Sequence, residues 1–272
     1  MNLNQITKLI QDSVGVTADG IYGINTAKAI ASKLGLETEE KETEEKETEE
    51  KEREGFNASD LLDPEKNRSS YPLLVRCMVL NIVNLEDPKC VNPDTMRVHR
   101  LPAADRGGKW EVAGLSDGYE PEVVDFIRKE IEAGRRQSAW SSMIHSVDEK
   151  SITESIEAEM EFLDCHAIQY RFRSFAFNAG ISASIKCLQR ALNTFLQSPI
   201  ATDGKWGKNT AKALGDVLTE YGEKKVLLQF NLKIQAYYKS LRQYKNGTFK
   251  KGWERRWTED EKIAENFLDL NW

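Results

Sequence analysis

No apolar run in this 272-residue chain approaches the ~20 residues that a membrane-crossing helix needs, so no membrane insertion is expected. The opening Met1-Asn2-Leu3-Asn4-Gln5 also lacks a basic segment leading into an apolar one, so a secretory signal peptide is not expected. Cysteine is scarce. Cys77, Cys90, Cys165 and Cys187 are scattered without the tight spacing of metal or redox motifs, and they read as buried reduced thiols. His99, His145 and His166 show no ligand spacing either, and the neighbours Cys165-His166 read as structural. No metal and no cofactor are expected.

Apolar residues are absent from 37–54, where Glu-Thr-Glu-Glu-Lys repeats almost perfectly. Such a segment has no face to bury, and Glu-to-Lys spacings of four suit a solvated helix at most, so it reads as a spacer. It also distorts the charge balance. Eleven Glu against Lys41, Lys46, Lys51 and Arg53 give −7 there, which leaves +1 for the rest of a chain whose net charge is −6. Within that near-neutral remainder, Lys224 to Arg256 is strongly basic, a pattern that fits nucleic acid, an anionic bacterial envelope or a plain solvated helix face.

The length suggests roughly two domains with ample chain for a core. Ahead of the spacer, Leu3, Ile6, Leu9, Ile10 and Val14 recur at helical spacing and lead into Thr17-Ala18-Asp19-Gly20-Ile21-Tyr22-Gly23-Ile24-Asn25-Thr26-Ala27-Lys28-Ala29. Asp-Gly marks a turn, and Asn25 or Thr26 can start the next helix. The pattern returns as Thr202-Asp203-Gly204-Lys205-Trp206-Gly207-Lys208-Asn209-Thr210-Ala211-Lys212-Ala213, again preceded by a helix, here through Ile185, Leu188, Gln189, Leu192 and Phe195. This is an internal repeat. A mainly structural role is expected for the second copy.

Residues 71–85 form a helix apolar almost all round and therefore buried, ending at Glu86-Asp87-Pro88, where proline forbids continuation. Arg97–Leu101 and Lys109–Ala113 are short strand candidates around a loop with Asp105-Arg106-Gly107-Gly108. From Pro121 onward the chain reads as helices, among them Pro121–Ala133, Ser151–Asp164, Ile185–Phe195 and Lys225–Tyr244. The fold class expected is mainly α: a helical domain with one small β-hairpin sheet, plus a small helical N-terminal module.

Glu86 is the focal acid. The carboxyl end of a buried helix is the negative end of its dipole, a setting that favours the proton-donating form of a carboxyl. A proton donor and a second carboxylate are what glycoside cleavage requires. If Trp110 and Val112 face inward, Glu111 projects from the strand toward the end of the Glu86 helix, as a base for water or as a nucleophile. Asp105 is a third candidate, for orienting water or a sugar hydroxyl, or as a turn residue. Asn178 either meets substrate or caps the helix that follows, and Ser116 and Tyr119 are candidates to line the same hollow. Trp206, Tyr237, Tyr238 and Trp253 read as core aromatics.

The order of these features resembles the lysozyme-like superfamily, and within it the muramidases of glycoside hydrolase family 108. The carriers are Val83-Asn84-Leu85-Glu86; Asp105-Arg106-Gly107-Gly108 followed by Val112-Ala113-Gly114-Leu115-Ser116; Phe175-Ala176-Phe177-Asn178-Ala179-Gly180; Cys187-Leu188-Gln189-Arg190-Ala191-Leu192 with Asp203-Gly204-x-Trp206-Gly207; and Lys251-Gly252-Trp253-x-x-Arg256. Around the acid, the family's Glu-Gly-Gly-Tyr is replaced by Glu86-Asp87-Pro88-Lys89, and the stretch from Glu86 to Asp105 is longer than in typical members. The helix–Asp-Gly-x-aromatic-Gly–helix repeat resembles peptidoglycan-binding modules of bacterial and phage wall hydrolases.

The resemblance implies three parts: a peptidoglycan-binding module over 1–36, with Asp19, Tyr22 and Asn25 as its binding residues; the spacer over 37–54; and a lysozyme-like catalytic domain over 55–272, with a second such helical repeat embedded at about 177–215. It implies an endolysin-type muramidase that hydrolyses the β-1,4 bond between N-acetylmuramic acid and N-acetylglucosamine, with Glu86 as acid. Inversion is favoured over retention. Peptidoglycan is the expected partner, with no nucleic acid, and a monomer is expected. The protein is expected to be made in the cytoplasm and to reach the periplasmic wall by a holin-type or secretion-system route. The alternatives are a non-catalytic wall-binding or structural protein, a lytic transglycosylase, and a chitosanase-like enzyme.

Overall fold

An apolar sequence with a proline stop forms the first helix, α1, over Leu73–Glu86. Val75, Cys77, Met78, Val79, Ile82 and Val83 are all buried, so most of its faces are covered. The Asp87 N–H still donates to the Val83 carbonyl (2.9 Å), but Pro88 has no N–H to continue the ladder. A 3₁₀ turn, Pro88–Val91, follows instead, with the Asp87 side chain accepting from the Lys89 N–H at its start. The computed structural model describes residues 73–101, 107–247 and 249–268. These fall into two compact units that divide between Ser146 and Val147.

In the first unit the stretch after Glu86 is pinned to helix α3 (Arg136–Ser151). Arg136 donates to the carbonyls of Pro93 (2.8 Å) and Met96, and the Trp140 indole N–H to those of Cys90 and Val91 (3.1 Å each). An antiparallel sheet in the order β1-β2-β3 comes from His99–Arg100, Trp110–Val112 and Leu115–Ser116. Strand β3 extends the expected hairpin to three strands. It follows a turn in which Ala113 and Gly114 both have positive φ (47° and 78°), the type I′ geometry that matches strand twist. Gly108 (φ 121°) allows a close approach, since a Cβ there would lie 2.0 Å from Asp117 Oδ1. That oxygen accepts from the N–H groups of Lys109 (2.6 Å) and Trp110 (3.0 Å) and locks the base of the hairpin. Helix α2 (Pro121–Glu132) buries Val124 and Ile127 and packs on β2 and β3.

The second unit holds α4 (Glu154–Phe162), α5 (His166–Ala179), α6 (Ile181–Leu192), α7 (Lys208–Tyr221), α8 (Glu223–Ser240), the one-turn α9 (Arg242–Lys245) and α10 (Lys250–Glu265). Every residue of α5 from His166 to Phe177 is buried, and α4, α6, α8 and α10 pack around it. Two arginines lie inside this core, Arg171 at 1% exposure and Arg173 at 0%. Arg171 meets Asn231 and Asp260, and Arg173 meets Asp148 and Glu157. The aromatics expected in the core pack there: Tyr238 lies against Phe175, Trp253 and Trp257.

Among the described residues the fold is thus mainly α with one small antiparallel sheet. Three helices differ from expectation. The Ser151–Asp164 helix starts only at Glu154, because Ser151 is the last residue of α3. The Lys225–Tyr244 helix stops at Ser240, because Leu241 is extended (φ −70°, ψ 144°). The Ile185–Phe195 helix starts earlier, at Ile181, with Gly180 (φ 85°) making the corner from α5. All four cysteines are free and buried, and burial pushes the Cys77 thiol up to about 12 and those of Cys90 and Cys187 to about 11. None of these three is a ready nucleophile.

Glu157 gives the second unit a specific pH response. Burial raises its carboxyl from 4.5 to about 6, even though the Arg173 guanidinium opposes the shift. Because the folded state holds this proton more tightly than the unfolded chain does, the stabilisation is fully present below about 4.5 and is lost as pH rises through 6. The shift corresponds to roughly 2 kcal/mol. Glu157→Gln keeps the neutral form at every pH. Urea unfolding at pH 4 and pH 7.5 is expected to show the variant gaining on the parent by about that amount at the higher pH. A constant difference between the two would reject this account.

Candidate functional site

In the first unit, Glu86 ends α1, and Glu111 and Ser116 stand on neighbouring strands of the sheet. Glu86 is the half-buried last residue of α1. Its neighbour Asp87 is buried, and although burial pushes its carboxyl up, the Arg97 guanidinium (2.9 Å), the Lys89 N–H and the nearby His99 hold it below the usual carboxylate range. Across the sheet His99 stands opposite Glu111, and Glu111 opposite Ser116. Side chains directly opposite in a sheet share a face. His99 Nε2 lies 3.6 Å from Glu111 Oε1, while among the described residues its buried Nδ1 has no hydrogen-bond partner. One imidazole therefore lies within electrostatic reach of Asp87 at the helix end and beside Glu111 on the strand. The acid that meets this imidazole from the helix end is thus Asp87, the residue after Glu86.

The remaining expected residues are placed less uniformly. Ser116 is buried, and its N–H donates to Glu120 Oε2 (3.3 Å). Tyr119 projects outward at 74% exposure. Asn178 lies in the second unit, in the last turn of α5, where its Nδ2 donates to the Ser174 carbonyl (3.2 Å). The helix start for which it was a candidate cap is taken by Gly180. Asp105, and the Asp19, Tyr22 and Asn25 of the first repeat, lie outside the described residues.

The second repeat builds a groove. Gln189, at 1% exposure on α6, reads the turn between α6 and α7 with both ends of its amide. Its Nε2 donates toward Asp203 Oδ1 (3.0 Å), the Lys205 carbonyl (3.1 Å) and Thr210 Oγ1 (3.1 Å), and its Oε1 accepts from the Gly204 N–H (3.0 Å). Gly204 has φ 74°, and a Cβ there would collide with Ser182 and Lys186. Asn193 and Ile200 close the preceding loop by a reciprocal pair of bonds, Nδ2 to carbonyl (2.9 Å) and N–H to Oδ1 (2.8 Å). The turn held this way leaves an open groove of about 230 Å³ lined by Ile200, Lys205, Trp206, Lys208 and Asn209 among others. Trp206 is half-buried and meets Phe172 edge-on at 6.5 Å.

Gln189 is a residue whose role the sequence reading did not identify. The signal was present: Gln5 precedes Asp19 by the same 14 residues as Gln189 precedes Asp203. Replacing Gln189 by Leu keeps the volume and strands the buried Gly204 N–H without its acceptor. The expected cost is about 3 kcal/mol in urea unfolding, from one orphaned amide and the bonds lost with it. A loss below about 1 kcal/mol would mean that the turn holds its shape without the clamp.

A family model described as "Predicted Peptidoglycan domain" matches residues 183–258, from within α6 into α10. No curated protein and no solved structure matches the chain. The match takes in the groove and supports peptidoglycan as the partner of this region. Among the described residues no helix is long and apolar enough to cross a membrane.

Proposed function

We propose that this chain binds peptidoglycan through residues 183–258 and cleaves the glycan strand, hydrolysing the β-1,4 bond between N-acetylmuramic acid and N-acetylglucosamine. The observation that carries the catalytic half is the position of His99, which lies within electrostatic reach of Asp87, next in sequence to Glu86, and 3.6 Å from Glu111. Glu86 donates its proton to the leaving glycosidic oxygen. Glu111 takes a proton from the water that attacks the anomeric carbon, which inverts the configuration there. Asp87 is excluded as the donor, because Arg97 holds it ionised. The likeness to family 108 muramidases supports the same assignment.

A second reading, wall binding without catalysis, has its own support. Glu111 is close to His99 and Asp87 is paired with Arg97, so two acids of the cluster already have cationic or potentially cationic neighbours. Mass spectrometry of purified sacculi after incubation separates the readings. Muropeptides with reducing muramic ends are expected. Anhydro-muramic ends would make the enzyme a lytic transglycosylase, and pelleting with the sacculi without any release would establish the binding-only reading.

A further inference from the structure

The groove between α6 and α7 carries more positive charge than its architecture needs. Asp203 is committed to the turn, where the Lys205 N–H and then the Gln189 amide hold its carboxyl below the usual range. Lys205 and Lys208 line the groove and are exposed, and Lys186 lays its stem against the turn, its Cε 2.8 Å from where a Cβ on Gly204 would be. One turn further along α7, Lys212 is neutralised by Asp216 at 2.6 Å, whereas these three lysines make no ion pair among the described residues.

The internal repeat separates what builds the turn from what decorates it. An offset of 184 residues places Gln5, Asp19, Gly20 and Thr26 on Gln189, Asp203, Gly204 and Thr210, the members of the clamp. The same offset places Asn2, Ile21 and Ile24 on Lys186, Lys205 and Lys208. The clamp positions recur and the lysines do not. The charge is therefore additional to the turn, and two of the three lysines line an open groove together with a half-buried tryptophan.

We infer that this groove receives the peptide stem of peptidoglycan, with the stem's free carboxylates on the lysines and its aliphatic groups on Trp206. The inference rests on the peptidoglycan reading above and names which part of the polymer is held. Charge selects the stem. In a strand with its stems attached, N-acetylglucosamine is uncharged and the lactyl carboxyl of muramic acid is tied up in the amide to the stem, so the carboxylates lie on the peptide. Size agrees, because about 230 Å³ is below the ~300–1,000 Å³ of pockets that enclose a drug-sized molecule and suits a chain end better than a disaccharide.

The test uses the full chain carrying Glu86→Gln, so that sacculi persist, with and without the triple change Lys186→Gln, Lys205→Gln and Lys208→Gln. Binding is read by co-sedimentation with intact sacculi, with free stem tetrapeptide as competitor. The triple variant is expected to bind about tenfold more weakly, as three exposed charge contacts would give, and the tetrapeptide is expected to displace the parent. Equal binding by both proteins, or no displacement by the peptide, overturns the stem assignment and leaves wall binding standing. Sacculi stripped by an amidase expose the lactyl carboxylate. Lysine-dependent binding of undiminished strength to these would move the contact to muramic acid and also overturn the assignment. Failure of the parent to sediment with any sacculi would instead remove the peptidoglycan reading itself.

Discussion

Glu86→Gln is expected to slow the clearing of purified sacculi by about a hundred- to ten-thousand-fold, the range that a positioned proton donor contributes. Glutamine has nearly the same shape and cannot deliver a proton to the leaving oxygen. Urea unfolding and co-sedimentation with sacculi should therefore be unchanged, and only turnover should fall. The contrast with Asp87 sharpens the prediction. Asp87 is one residue further along and buried, but it is held ionised by Arg97 and accepts from the Lys89 N–H, so it props the start of the 3₁₀ turn and has no proton to give near neutrality. A Glu86→Gln protein that still clears sacculi at the parent rate would place the donor elsewhere and remove the mechanism. Glu111→Gln belongs to the same experiment. As the base for water it should also lose turnover, while sedimentation stays intact.

How much of this was legible in the sequence differs by element, for physical reasons. Helix α1 was legible because ten apolar residues over successive turns, closed by Pro88, suit a buried helix with a sharp stop. The hairpin was legible from Gly107-Gly108, but β3 was not, since a two-residue strand has no alternation to read. Helix α3 lies in the stretch that reads as helical from Pro121 onward but is not singled out there, because Arg136, Gln137, Ser138, Ser141 and Ser142 break its apolar stripe, and all three of these serines are buried. Glu86 and Glu111 are candidates by residue type and order. The imidazole beside Glu111 could not be picked that way, because placing His99 opposite Glu111 requires the strand register. Gln189 was hidden for a related reason. A lone glutamine on a helix looks like solvent-facing filler until the turn 14 residues later folds back over it.

The buried arginines were the least legible feature, and they carry the largest expected stability effect. Arg-Phe-Arg in a helix reads as an exposed, charged stretch, yet Arg171 and Arg173 are buried with partners at positions 148, 157, 231 and 260. Asp260, at 2% exposure on α10, is the hub of one half. It accepts from the Tyr170 hydroxyl (3.0 Å) and the Ser174 hydroxyl (2.5 Å), and it pairs with Arg171 and Arg256 at 3.3 Å each. Removing one partner of such a set costs more than the set contributes, because the guanidinium left behind is a buried charge without its counter-charge. Asp260→Ala is expected to destabilise the second unit by about 3–5 kcal/mol. Asp260→Asn keeps an acceptor for Tyr170 and Ser174 but loses the charge, and should fall between the parent and the alanine variant. Urea unfolding followed by tryptophan fluorescence checks both, with Trp253 and Trp257 on the same helix as the substitution. A loss under about 1 kcal/mol for Asp260→Ala would mean that solvent reaches Arg171 and the network is not dry. The groove is built on α6 and α7, away from Asp260 in sequence, so conditions under which Asp260→Ala remains folded should leave sacculus binding at the parent level. Weakened binding by the folded variant would show that the α10 network shapes the recognition surface as well as the core.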